Sequence, residues 1–157
     1  MKDLAPQDED FMALAFAEAQ KAFKLGEVPV GCVIVLKNRV IARAHNLREA
    51  KKDPTAHAEI LAIKKAAQRM GGWRLLDTTI YVTVEPCAMC AGAIQPARIA
   101  RVVFGAAAPK TGACGSVVNL FAEPLLNHHT RIEGGMLAQQ CGELLTNFFR
   151  ERRATAQ

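Results

Sequence analysis

Between Thr78 and Gly105 the chain reads strand, helix, strand. "TTIYVTV" is a β-branched apolar run, Pro86 opens the helical stretch "PCAMCAGAI", and "ARVVFG" is a second apolar run. Strands separated by a crossover helix lie parallel in a sheet sandwiched by helices. The rest of the chain extends the pattern. "DEDFMALAFAEAQKAFKLG" spaces Phe11, Ala15, Ala19 and Ala22 as one helical stripe, flanked by Phe16 and Phe23 and stopped at Gly26. "VPVGCVIVL" is apolar on both faces of a strand, so helices should cover both sides, and Lys37 with Asn38 turns it into "RVIARAHN", an antiparallel partner. "LREAKKDPT" reads as a polar loop in which Pro54 biases Asp53 away from helix. "HAEILAIKKAAQRM" is a strong helix closed by Gly71 and Gly72. A short helix near 117–121, a short strand near 130–133 and a final helix over about 136–153 follow. The expected class is α/β: a three-layer α/β/α sandwich with a mixed, mostly parallel five-stranded sheet, as one domain over residues 1–157.

Composition narrows the setting. A chain of 157 residues, half of them apolar and 22% charged, suits one globular core. No apolar run is long enough to cross a bilayer. "MKDLAPQDEDF" is acidic where a secretion signal is basic, so the expected location is cytoplasmic, with no membrane partner. The net charge of +5 is compatible with a polyanionic partner, and "FFRERR" concentrates three arginines beside two phenylalanines. Five cysteines, an odd number, argue against a disulfide framework. Cys32 and Cys141 read as small buried apolar residues.

Cys87 and Cys90 are different. Three apart on a helix, both thiols project from one face near its positive end, which favours thiolate. A redox dithiol fits this much, and so does half of a zinc site. "PTAHAEI" discriminates. His57 and Glu59, two apart in a first helical turn, point about 200° from each other, yet both can reach a ligand lying beyond the helix end. His57, Cys87 and Cys90 would then hold one Zn2+ and leave a fourth position for water, whose pKa the metal lowers to about 7. Glu59 beside it is a candidate general acid/base, and this set of parts suits hydrolytic deamination of an amidine-like ring carbon. A structural zinc remains an alternative; it needs a fourth protein ligand from Cys114, His45, His128 or His129, and gives Glu59 no task.

The segments "GEVPVG", "DPTAHAEI", "YVTVEPCAMCAGA", "RVVFGA", "KTGACGS" and "FFRERR" resemble, in order, those of the bacterial tRNA-specific adenosine deaminases of the cytidine deaminase superfamily. The likeness runs from about Phe11 to Arg153. It implies a cytidine deaminase-like fold and a homodimer that converts adenosine to inosine at the wobble position of a tRNA anticodon, releasing ammonia. It also implies His57, Cys87 and Cys90 as zinc ligands and Glu59 as the proton shuttle. Asn46 is the implied polar contact to the target base, Val28, Pro29 and Val30 the wall of its pocket, and the backbone near Glu85 and Pro86 a positioning element. A base must be flipped out before its ring can react, and unstacked anticodon-loop bases pack well on aromatic faces. Phe149, or its neighbour Phe148, with Arg150, Arg152 and Arg153 fits stacking and phosphate contact, Lys110 fits a phosphate contact, and His128 matches a position near the substrate nucleotides. One departure stands out. Ala106, Ala107, Ala108 and Pro109 precede Lys110, where relatives carry a polar or charged side chain able to meet the ribose. Discrimination of RNA from DNA is therefore expected to be weaker or to come from other contacts. A deaminase of free bases or nucleosides, of the guanine or cytosine type, would use the same zinc site.

Overall fold

The computed structural model describes residues 5–156; the opening residues of "MKDLAPQDEDF", on which the expected location partly rests, lie outside the described residues. Helix α1 (Pro6–Lys24) buries Met12, Ala15, Ala19 and Ala22 completely. The inward stripe thus starts at Met12; Phe11 packs at its margin against Tyr81, ring centroids 5.3 Å apart. Strand β1 (Gly31–Leu36) turns through Lys37 and Asn38, both at positive φ, into β2 (Arg39–His45). The short helix α2 (Arg48–Lys51) lies where the sequence reads as polar loop. Then come α3 (Ala58–Met70), β3 (Thr78–Val84), α4 (Ala88–Ile94) and β4 (Arg101–Ala106). A 3-10 turn at Leu120–Ala122, β5 (Arg131–Gly134) and α5 (Ala138–Thr155) complete the chain.

The sheet order is β2-β1-β3-β4-β5. β1 pairs antiparallel with both β2 and β3, while β3, β4 and β5 are parallel. Four strands therefore share one direction and β1 opposes them, the mixed sheet of a cytidine deaminase-like fold. Ala58, Ala62, Ala66, Ala91 and Ile94 of α3 and α4 pack on one face against Cys32, Ile34, Ile80, Val82 and Val102. Met12 and Ala15 of α1 cover the other, against Val33, Val35, Tyr81 and Val103. β1 is covered on both sides, as its unbroken apolar run requires. Gly31 is needed for the closest of these contacts: a Cβ there would stand 2.0 Å from the Ala15 carbonyl oxygen. No described helix is long and apolar enough to cross a membrane.

Candidate active site

The carboxyl ends of β2, β3 and β4 and the amino end of β1 share one edge of the sheet, where open α/β sheets take ligands. A pocket of about 560 Å³ opens there. His57 is the N-cap of α3 and Cys87 that of α4, both with extended backbone, so two helix ends meet at this point. The sequence places Pro86 at the first helical position; the helix instead begins at Ala88, and Pro86 is a buried residue ahead of the cap whose carbonyl accepts the Ala113 N–H at 2.8 Å. Cys90 follows one turn on, fully buried.

His57 Nδ1 stands 3.7 Å from Cys87 Sγ and 3.6 Å from Cys90 Sγ, and all three donor atoms lie within 4.8 Å of one another. Nitrogen and sulfur ligands at about 2.0 and 2.3 Å from a tetrahedral zinc are about 3.5 Å apart, so this donor set fits the ion. The hydrogen bond with Cys90 brings the Cys87 thiol down to about 3, with His57 adding to it against the effect of burial. Cys90 is pushed up by the same bond and by burial, and its bond with Cys87 raises His57. A bound cation takes the place of the protons that thiol and imidazole ligands give up. No fourth protein ligand joins them among the described residues. His45 pairs with Glu18 at 3.0 Å, His128 donates to the Ile99 carbonyl at 2.7 Å, and neither Cys114 nor His129 belongs to the donor group. That favours an open catalytic site over a structural one. Glu59, in the first turn of α3, is 4% exposed and lines the pocket; burial raises its carboxyl to about 7.

The walls are built by longer-range contacts. Asn46 is buried, and its Oδ1 accepts the Ala58 N–H at 2.7 Å, which fixes the start of α3 beside His57 while the residue lines the pocket. Val28 and Val30 line the same wall; Pro29, between them, is buried but not part of the lining. Opposite lie Ala107, Ala108, Pro109 and Lys110, which brings the alanine–proline departure directly into the pocket, whereas Ala106 is the buried end of β4. Glu85 holds this loop. Its carboxylate accepts the N–H groups of Ala108 at 3.1 Å, Cys114 at 2.9 Å and Ser116 at 3.2 Å, and the Ser116 hydroxyl. Burial works to raise its pKa, but these bonds outweigh it and leave the group below its ordinary value. Gly112 is packed so closely that a Cβ would meet the Glu85 carboxyl carbon at 2.3 Å.

On α5 the two phenylalanines divide the work. Phe148 is buried against Phe23, ring centroids 5.9 Å apart, while Phe149 is 45% exposed and lines the pocket with Leu145 one turn earlier. Arg152 stacks over Phe148 and donates to the Gly26 carbonyl, so it braces α5. Arg150 and Arg153 are exposed and lie outside the pocket lining. His128 lies apart, in a separate depression with Gln95 and Leu126. Sequence reasoning passes over Arg48, Val84, Thr111 and Leu145, all of which line the pocket. Helical spacing four before Phe149 could have found Leu145.

The chain is similar to proteins of known kind. Residues 5–106 match the family model described as the cytidine and deoxycytidylate deaminase zinc-binding region. The tRNA-specific adenosine deaminase of Bacillus subtilis (strain 168) is 50% identical over 147 residues, covering 94% of this chain and 91% of that protein. A solved structure from studies of A-to-I editing by tRNA:A34 deaminases at the wobble position of transfer RNA is 45% identical with a TM-score of 0.84, covering 87% of this chain and 99% of that one. A guanine deaminase from Bacillus subtilis is 31% identical with a TM-score of 0.62, covering 92% and 93% of the two chains. The chain belongs to the zinc-binding cytidine and deoxycytidylate deaminase family and, within it, to the group of the tRNA-specific adenosine deaminases.

Proposed function

We propose that this protein deaminates adenosine to inosine at the wobble position of a tRNA anticodon, releasing ammonia. The observation that carries the reading is a group of three donors spaced to hold zinc beside a buried carboxyl, in a pocket with an exposed phenylalanine in its lining. Zinc held by His57, Cys87 and Cys90 supplies an acidified water and Lewis acidity. The chain's own residues do the rest. Val28 and Val30 pack on the faces of the flipped adenine, and Asn46 meets its polar edge. Glu59, with its carboxyl near neutrality, takes one proton from the attacking water and delivers it to ring nitrogen N1, then carries the second, from the hydroxyl now on the ring carbon, to the departing amine. The backbone around Glu85 and Pro86 orients the reacting carbon. Phe149 stacks a neighbouring base, Lys110 in the loop after β4 meets a phosphate, and so do Arg150 and Arg153 on α5, the helix that Arg152 braces. His128 meets nucleotides farther from the chemistry.

Ala107, Ala108 and Pro109 offer no side-chain hydrogen bond to a 2′-hydroxyl, so sugar discrimination falls to other groups. A homodimer is part of the reading; Met89, Val117, Val118 and Leu125 are exposed apolar side chains suited to a subunit contact, and solution mass by light scattering tests it. The compartment is the cytoplasm, where tRNA is processed. Because the guanine deaminase shares the fold, substrate is the point to measure. Purified protein is mixed with bulk tRNA, with matched RNA and DNA hairpins, and with free nucleosides and bases, and products are read by mass spectrometry. Inosine at the wobble position of tRNA is expected; turnover of free guanine or cytosine alone would replace this reading with that of a small-molecule deaminase.

A further inference from the structure

One wall of the pocket carries charge that the reaction leaves unused. Arg48 of α2 lines the pocket beside Asn46, His57 and Glu59. Lys51 and Lys52 continue from it, and Lys64 lies on the exposed face of α3; all four cations are exposed. None is in an ion pair among the described residues, whereas Lys21, Arg101 and Arg131 are each paired with a carboxylate. Asp53 accepts the N–H and hydroxyl of Thr55, and Lys64 and Lys51 act on its charge from a distance without forming an ion pair with it.

The position of these cations is built into the fold. Glu27 is 2% exposed and immediately precedes the wall residue Val28. Its carboxylate accepts the N–H groups of Glu49 at 3.0 Å and Ala50 at 2.8 Å, which ties α2 to the pocket wall. Lys52 takes a left-handed φ of 50°, and the Asp53 N–H returns to the Arg48 carbonyl at 3.1 Å, closing the turn. With the sheet ordered β2-β1-β3-β4-β5, this turn, which follows β2, lies across the mouth from Lys110, which follows β4. A flipped nucleotide has a phosphate on each side. A cation at one side only leaves the backbone free to swing, and cations at both sides hold the base in register.

We infer that Arg48, Lys51, Lys52 and Lys64 form a second phosphate-binding track for the RNA substrate. Arg48 holds the phosphate beside the target nucleotide on the β2 side of the mouth, and the three lysines carry the strand onward over α3. The inference rests on the reading that the substrate is RNA.

The test compares two charge-matched double variants of the zinc-loaded protein on an anticodon stem-loop RNA. One is Lys51→Gln with Lys52→Gln; the other is Lys37→Gln with Arg39→Gln, at the far end of the β1–β2 hairpin. Each removes two positive charges, so a general loss of attraction affects both alike. The lysine 51/52 variant is expected to flatten the dependence of log affinity on log salt by about 0.7 per lost contact, and to raise KM with kcat unchanged. Arg48→Gln should act in the same direction, while the 37/39 variant keeps the wild-type slope. Melting temperature and bound zinc exclude misfolding, and because both lysines are exposed their variant tests the track even if Arg48→Gln fails to fold. Equal slopes and KM values in the two double variants overturn the inference. A wild-type protein that makes no inosine in tRNA overturns the functional reading instead, and the two failures are read in separate assays.

Discussion

Glu59 sits in the first turn of α3, two residues from His57 of the candidate zinc site, and is buried. A carboxyl in that position is costly unless it has a task, because burial disfavours its charged form. Glu59→Gln keeps the shape and removes the proton traffic. The variant is expected to retain one zinc per chain by metal analysis and to lose deamination by about 10²- to 10⁴-fold; unchanged turnover would remove Glu59 from the mechanism. His57, Cys87, Cys90 and Glu59 are apparent from residue type and spacing alone, since few other tasks need that combination. Arg48 is not apparent, because an arginine in a polar stretch looks like any solvated charge until its neighbours across the pocket are known.

At the scale of the element, the loop after β4 is shaped by one side chain. Glu85 gathers the N–H groups of Ala108, Cys114 and Ser116. Glu85→Ala strands the N–H groups of half-buried Ala108 and Cys114 and of exposed Ser116; each of the first two costs about 1–3 kcal/mol where it is left unpaired. A loss of at least about 2 kcal/mol in denaturant melts is expected, with faster amide exchange at Ala108, Cys114 and Ser116; unchanged exchange at these sites would show that the loop holds itself. The strands and long helices follow from periodicity. The exceptions have tertiary causes. β1 begins at Gly31, not Val28, because the ladder with β2 starts at the Gly31–His45 pair. α2 is a single turn capped by Glu27 from another part of the chain, and four residues carry no amphipathic pattern to detect.

Across the whole molecule, one charge network joins α1 to the sheet at the end remote from the pocket. Arg101 donates to Asp8 at 2.8 and 2.7 Å and also to Glu133, while the Tyr81 hydroxyl donates to Asp8 at 2.6 Å. Burial acts to raise the pKa of Asp8 and Glu133, yet hydrogen bonds from Arg101, with Tyr81 on Asp8 and Arg131 on Glu133, leave both below the ordinary carboxylate value. Groups with lowered folded pKa stabilise the fold above their unfolded pKa of about 4, and that contribution is lost as pH falls through the folded values. Melting temperature should therefore hold near neutrality and fall below about pH 4. Asp8→Asn should start lower at neutral pH and decline less steeply in acid; a decline parallel to wild type would exclude Asp8 as a source of acid lability.

The alternation of strands and helices, and the candidate zinc-binding residues with the acid beside them, were legible in the sequence alone. Periodicity and ligand chemistry are carried by residue type and near spacing. Only the tertiary structure decided which side chains share the pocket with them. Glu27 with Ala50, Asn46 with Ala58, Glu85 with Ser116 and Arg152 with Gly26 meet because separate elements converge at one edge of the sheet. A contact between positions far apart in the chain leaves no local pattern at either one.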